Sequence, residues 1–172
     1  MGRITTAGRA REFSTPTNPS TPFLITSGPD DALWFTELDE NQIGRITTSA
    51  RYYTVAPCRV ADTRNPTGPY GGPSLVAKTD RTFVIGGQCG IPPTATGASF
   101  NFTTTQSTAA GDLRVFPAGS GLPLVSTLNW AAGETRANNA VVALGLSADA
   151  TVHPDQASGA VELIIDVTGY FQ

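Results

Sequence analysis

Apolar and polar side chains alternate most clearly in the second half of the chain. Between Gly97 and Thr105 every second residue belongs to the same face of a predicted strand. One face carries Ala98, Phe100, Phe102 and Thr104, and the other carries Ser99, Asn101, Thr103 and Thr105. A period of two residues is typical of a β-strand with one buried face, so this segment is predicted to be a half-buried strand.

A second alternating segment runs from Ala160 to Thr168. Its apolar positions are Val161, Leu163, Ile165 and Val167, opposite Glu162 and Asp166. Shorter strand candidates are Cys58–Asp62, Arg81–Ile85, Leu113–Phe116, Ser126–Trp130, Arg136–Ala143 and Ala150–Val152. Many short strands without an amphipathic helix predict an all-β chain, with an antiparallel β-sandwich or jelly roll over residues 51–172.

Residues 1–50 follow a different pattern. Four short strands are predicted there, separated by Gly- and Asp-rich turns: Arg11–Ser14, Pro22–Ser27, Ala32–Glu37 and Gln42–Thr47. The pentapeptide GRITT occurs near both ends of this region, as Gly2, Arg3, Ile4, Thr5 and Thr6 and again as Gly44, Arg45, Ile46, Thr47 and Thr48. Four strands within one period of about 40–50 residues predict a single propeller-blade-like repeat.

The stretch SGPDDALWFTELDENQIGRITT, from Ser27 to Thr48, resembles the repeat of streptogramin B lyases, also called virginiamycin B lyases. Members of that family close seven such blades into a ring, with a catalytic His and metal-binding acids on loops of different blades. The resemblance implies a propeller-blade fold for residues 1–50. It does not carry the lyase activity over, because this chain has one repeat and a single His, His153, which lies far outside it.

The C-terminal part resembles an uncharacterised module that recurs near the C-termini of large secreted bacterial proteins. The stretches that carry the resemblance are PCRVADTRN (Pro57–Asn65), CGIP (Cys89–Pro92), TRANNAVVALG (Thr135–Gly145) and DVTGYF (Asp166–Phe171). The resemblance implies an extracellular bacterial setting and no particular activity.

Charge narrows the range of partners. Charged residues make up 15% of the 172-residue chain, the net charge is −3, and the 11 Lys and Arg residues are scattered singly. No basic stripe is present on which a phosphate backbone would lie, so nucleic acid is not expected as a partner. No apolar run approaches the ~20 residues of a transmembrane helix, so no membrane span is expected, and no signal peptide lies in this chain.

The two cysteines, Cys58 and Cys89, both lie beside turn residues. A Cys58–Cys89 disulfide is predicted, and it would stabilise the fold by roughly 3–4 kcal/mol and imply secretion. The alternative is a pair of buried thiols. With the low charge, the predicted bridge favours an extracellular or cell-surface location.

No catalytic residues or cofactors are predicted. His153 precedes Pro154 at an expected strand end, and the chain contains no Gly-x-Ser-x-Gly motif. One His and two Cys do not supply a zinc or copper site. Calcium is the remaining alternative, with ligands from turn acids, against the simpler interpretation that these acids cap turns in solvent; they are Asp30, Asp31, Asp39, Glu40 and Asp62.

Four residues are candidates for ligand binding. Tyr70 and Trp130 are expected beside Gly-rich turns, where an aromatic ring is able to stack on a sugar. Asp62 and Arg64 offer an acceptor and a forked donor in one turn, although pairing with other residues of the fold is the competing interpretation, and the same choice applies to Arg136–Asn139.

The duplicated GRITT strand suggests an assembly role. A leading strand of a preceding blade has no expected partner in its own blade, so it would add to another copy or to a neighbouring propeller. The sequence therefore predicts a non-enzymatic extracellular structural, self-association or attachment module. The alternatives are a carbohydrate-binding module that binds polysaccharide beside a secreted enzyme, and a degenerate fragment of a streptogramin-lyase-like propeller.

Overall fold

The computed structural model describes residues 2–4, 10–12, 15, 17, 20–28, 32–47 and 50–172. Every regular element in this part of the chain is a β-strand, which confirms the predicted all-β class. The chain divides into two compact units, Met1–Ala50 and Arg51–Gln172.

Two small antiparallel sheets form in the unit Met1–Ala50. The first pairs β1 (Gly2–Ile4) with β2 (Ala10–Glu12). The second is a three-stranded meander of β3 (Pro22–Ser27), β4 (Ala32–Glu37) and β5 (Gln42–Thr47).

This pairing corrects two details of the sequence prediction. The GRITT strand at Gly2–Ile4 has a partner within its own unit, because it pairs with β2. The strand predicted at Arg11–Ser14 therefore does not extend the β3–β5 sheet to four strands. Pro16 and Pro19 lie between β2 and β3, and because proline has no N–H to donate, the sequence of this segment is poorly suited to continuing a ladder.

Among the described residues of this unit, the central strand β4 carries the buried Ala32, Phe35 and Glu37, and Gly44 of β5 is also buried. The Phe35 ring lies against Gly44 of β5 in the space that any side chain at position 44 would occupy. Gly44, the first residue of the second GRITT segment, is therefore needed because a larger residue would clash with the Phe35 ring. By contrast, β3 is exposed along its whole length.

Two antiparallel sheets build the unit Arg51–Gln172, as predicted for a β-sandwich. The five-stranded sheet contains β6 (Tyr52–Asp62), β7 (Leu75–Val76), β9 (Gly97–Thr105), β12 (Arg136–Ala143) and β14 (Ala160–Phe171). Its order is β12-β9-β14-β6, with β7 also paired to β14. The four-stranded sheet contains β8 (Arg81–Val84), β10 (Gly111–Pro117), β11 (Leu128–Trp130) and β13 (Asp149–Gln156), in the order β11-β10-β13-β8.

The hydrophobic core draws on both sheets. The alternation predicted in β9 and β14 is confirmed, because Ala98, Phe100 and Phe102 are buried while their neighbours are partly exposed, and the Phe100 and Phe102 rings lie 5.0 Å apart. From the four-stranded sheet, Phe83, Leu113 and Val152 join the same cluster. Burying each large apolar side chain contributes about 1.5–3 kcal/mol.

A β-bulge near the end of β14 explains why its apolar pattern changes phase. The register with β9 passes from Val167 opposite Phe100 to Gly169 opposite Ser99, so Thr168 is an extra residue. Beyond it, Tyr170 lies opposite the core residue Ala98 and packs against the core. The strand predicted to end at Thr168 therefore continues to Phe171.

β13 is also longer than predicted. It runs through His153 and Pro154 to Gln156, whereas the sequence suggested a turn at Pro154. The Pro154 carbonyl accepts a hydrogen bond from the Lys78 N–H at 2.8 Å. The N–H and C=O groups of a residue in an antiparallel strand point to the same side of the strand, so the Pro154 nitrogen points toward Lys78, as its carbonyl does. Because this nitrogen does not point toward β10, its lack of an N–H costs no hydrogen bond between β13 and β10.

The predicted disulfide is present and joins β6 to the loop after β8. Cys58 and Cys89 are bonded, with their Cα atoms 5.8 Å apart. At the start of β6 and the end of β14, the backbones of Arg51 and Gln172 exchange hydrogen bonds of 2.8 and 3.0 Å. The two ends of this unit are therefore adjacent.

Candidate functional site

The turn that follows β6, residues 62–73, contains the predicted ligand residues Asp62 and Arg64. Asp62 is buried, and Arg64 donates to both carboxylate oxygens, from Nε to Oδ1 at 2.8 Å and from Nη2 to Oδ2 at 2.6 Å. Hydrogen bonding from Arg64 lowers the pKa of Asp62 below its usual range. Both oxygens of Asp62 thus have donors from the protein itself.

A second forked pair lies beside the first. Arg59 donates to the two Asp166 oxygens at 2.8 and 3.2 Å, and to Asp62 Oδ2 at 3.4 Å. The hydrogen bond to Asp166 raises the pKa of Arg59. This network joins β14 to the end of β6 and fits the interpretation in which Asp62 and Arg64 stabilise the fold.

Arg81 of β8 organises the same turn, and sequence reasoning missed it. Its guanidinium donates to the carbonyl oxygens of Pro73 at 2.6 Å, Gly71 at 2.6 Å and Gly68 at 3.0 Å, and lies 4.7 Å from the centre of the Phe83 ring. Burial lowers the pKa of Arg81. The available signal was the Gly- and Pro-rich turn, whose carbonyls lack strand partners and attract a many-donor side chain.

Neither aromatic candidate stands free in a loop. Tyr70 is half-buried and packs against the core, and its carbonyl accepts from the Asp62 N–H at 2.9 Å. Trp130 is only 5% exposed, because it belongs to β11, and its Nε1 donates to the Ala109 carbonyl at 3.0 Å. Trp130 therefore lies on a strand and not on the loop where the sequence placed it, and its part in ligand binding stays a prediction.

A groove of about 450 Å³ lies between β11 and the start of β12. Polar and apolar residues share its lining: Thr127, Leu128, Asn129, Trp130, Ala131, Glu134, Arg136, Ala137 and Asn138. The groove is shallow and largely open to solvent, unlike the enclosed clefts that bury most of a small ligand.

Internal contacts fix the polar groups of this groove. Glu134 accepts from Arg136 at 2.8 Å and from the Ala131 N–H at 3.1 Å, and these two contacts lower the pKa of Glu134, the backbone bond being the larger cause. Asn138 Nδ2 donates to the Thr127 carbonyl at 2.7 Å, which ties β12 to the segment before β11. The groove is preorganised and offers carboxylate, guanidinium and amide groups.

His153 has a carboxylate partner. Its Nδ1 lies 2.7 Å from Asp80 Oδ1. Thr151, two residues earlier on the strand, has its hydroxyl 2.8 Å from that of Thr82. Within the described residues, no hydroxyl or thiol is hydrogen-bonded to His153, so the geometry gives no support for a nucleophile activated by it.

The described acids considered for calcium do not form a common site. Asp30 and Asp31 lie outside the described residues, Asp62 is paired with arginines, and Asp39 accepts a hydrogen bond from the Thr21 hydroxyl. Residues 2–4, 10–12, 15, 17, 20–28, 32–47 and 50–172 contain no cluster of three or more potential His, Cys, Asp or Glu ligands.

The predicted assembly strands fall partly within the described chain. Gly2–Ile4 makes up most of the first GRITT segment, and Gly44–Thr47 makes up most of the second. Thr5, Thr6 and Thr48 lie outside the described residues. Arg45 belongs to the second GRITT segment, and its guanidinium lies 5.7 Å from the centre of the Trp34 ring, within the range of a cation–π contact.

The described architecture is that of an all-β protein in which a small blade-like unit precedes a disulfide-bonded module of two antiparallel sheets. Residues 1–60 match the virginiamycin B lyase family. This match supports the resemblance of the N-terminal repeat and continues past Ala50 into β6.

Proposed function

We propose that this protein is a non-enzymatic extracellular attachment module, in which the blade-like unit associates with another blade of the same kind. The observation that carries the proposal is the exposed apolar strand β3. Phe23, Leu24 and Ile25 are 70%, 63% and 56% exposed. Three consecutive large apolar residues on an exposed strand are a surface that a neighbouring protein is expected to cover.

The repeat pattern supports the choice of partner. Blades of propellers bury their faces against adjacent blades, so a unit with a single repeat lacks the neighbours that its sequence is suited to contact. The match of residues 1–60 to a family built from such blades points to a second blade, from another copy or from a neighbouring propeller, as the natural partner.

The extracellular setting rests on two supports. The Cys58–Cys89 bond is compatible with an oxidising compartment. The resemblance of residues 52–172 to a module of secreted bacterial proteins points the same way. No helix in the described part of the chain has the length and apolar character to cross a bilayer.

Light scattering on the full chain tests the proposal. Phe23→Thr combined with Ile25→Thr keeps strand-forming residues while removing apolar surface, so the measured mass should fall toward that of a monomer. Val125→Thr is the matched control, because Val125 is also exposed but lies in the other unit. A mass unchanged by the double substitution would rule the blade out as the associating surface.

The groove between β11 and β12 favours carbohydrate binding as a second candidate. Asn129, Glu134 and Arg136 offer there the donor and acceptor groups that recognise sugar hydroxyls. Retention of the full chain on insoluble polysaccharides, lost in Asn129→Ala and Arg136→Ala, is the expected result. Absence of retention, or retention by both variants, would contradict it.

A further inference from the structure

Five of the described strands lie at the edges of the two sheets in Arg51–Gln172, and only one of the five is both long and regular. β7 has two residues, β8 has four and β11 has three. β6 is interrupted by two register shifts and contains Pro57. β12 has eight residues, and its register with β9 is continuous from Arg136 opposite Thr104 to Ala143 opposite Gly97.

The backbone groups on the outer side of β12 are identified by the pairing on its inner side. The Leu144 N–H donates to the Thr96 carbonyl, in line with the β9 register. Alternate residues of an antiparallel strand point their N–H and C=O groups to the same side, so even-numbered residues bond to β9. The outward groups belong to Ala137, Asn139, Val141 and Ala143, and no other described strand pairs with them.

The side chains of β12 leave this edge open. Natural sheets protect their edges with Lys, Pro, bulges or short strands. Between Ala137 and Ala143 all residues are uncharged and none is Pro. The single charged residue of the strand, Arg136, stands at its beginning and is paired with Glu134. Val141 is 66% exposed.

From this edge we infer that a second copy of the chain pairs with the first through β12, antiparallel and across a two-fold axis. A register centred on Ala140 places Ala137 opposite Ala143 of the second copy, and Asn139 opposite Val141 of the second copy. All four outward residues then exchange hydrogen bonds with the other copy. No like charges face each other, so the strand is complementary to itself.

This interface goes beyond the proposed function, because it uses residues of Arg51–Gln172 and none of β3. Its product is one continuous sheet running through two copies, with β12 at the centre. Stacking of blades is a separate contact, and the two can be tested separately in the same full-length chain.

Sedimentation velocity of the full chain over a range of concentrations is the first test. Val141→Lys places two ammonium groups close to the two-fold axis and should raise the dissociation constant about tenfold or more. Val84→Lys is the matched control, since Val84 is exposed on the short edge strand β8, and it should leave association unchanged. Asn139→Asp is a milder variant whose weakened association should recover at high salt.

Hydrogen exchange of individual amides separates this interface from blade stacking. The outward amides of β12 should gain protection as the concentration rises, while those of Asn138, Ala140 and Val142 are protected throughout by β9. The pattern should persist in the Phe23→Thr, Ile25→Thr double variant. A chain that stays monomeric, or outward amides that exchange equally fast at every concentration, would overturn the inference.

Discussion

Asp62 shows how a single buried carboxylate is kept ionised by its own chain. Its two oxygens accept from Arg64, and Arg59 stands 3.4 Å from one of them. The sequence suggested that Arg64 pairs with a carboxylate, because Asp and Arg stand two residues apart in a turn. The Gly- and Pro-rich turn indicated that a side-chain donor was needed there, but the sequence did not indicate that Arg81 supplies it, since backbone carbonyls are the same in every residue.

Asp62→Asn should change the dependence of stability on pH. The folded-state pKa of Asp62 is lowered, so its ionised form stabilises the protein above the unfolded-state pKa, and this stabilisation is lost as the pH falls through the folded-state value. Urea unfolding from pH 7 down to about pH 2 should therefore show wild type and variant converging in acid. A gap that stays constant across this range would mean that the ion pair contributes nothing.

Strand β14 illustrates what a pattern of alternation can predict at the level of an element. The period of two placed Val161, Leu163 and Ile165 correctly in the core. It did not reveal the bulge, because one extra residue reverses the phase and makes the following segment look like the end of the strand. The short strand β7 was missed for a related reason, since Leu75–Val76 has too few residues to show a period.

Deleting Thr168 tests the importance of the bulge. Without the extra residue, Val167, Gly169 and Tyr170 would follow one another opposite Phe100, Ser99 and Ala98 in unbroken alternation, so Tyr170 should stay on the core face and the unfolding free energy should stay close to that of the wild type. Chemical denaturation compares this deletion with Thr168→Ala, which keeps the residue count and should have a small effect. A loss of roughly 2–4 kcal/mol in the deletion would contradict this and show that the bulge itself is needed for the packing of Tyr170.

At the scale of the whole molecule, the division into two units was predictable because two kinds of pattern meet near residue 50. The repeat and its turns end there, and the alternating strands begin. The burial of Trp130 was not predictable in the same way. It depends on β11 pairing with β10, a contact between segments whose sequences carry no mark of each other.

Removing the disulfide should weaken the module Arg51–Gln172 as a unit. Cys58→Ser combined with Cys89→Ser opens a loop of 31 residues and is expected to lower the unfolding free energy by roughly 3–4 kcal/mol. Thermal unfolding with and without a reductant checks this, because the reductant should destabilise the wild type and leave the double variant unchanged. Identical behaviour of the two proteins in the reductant-free buffer would contradict it.

The adjacency of Arg51 and Gln172 determines how this module responds to mechanical tension. A force applied between these two residues pulls β6 and β14 apart at their shared end, so the ladder bonds are loaded one after another instead of together. Peeling of β6 proceeds through residues 52–57 and then meets Cys58, whose covalent bond to Cys89 carries the load to the loop after β8. A module connected this way is expected to yield at low force over a short length, until the load reaches the Cys58–Cys89 bond.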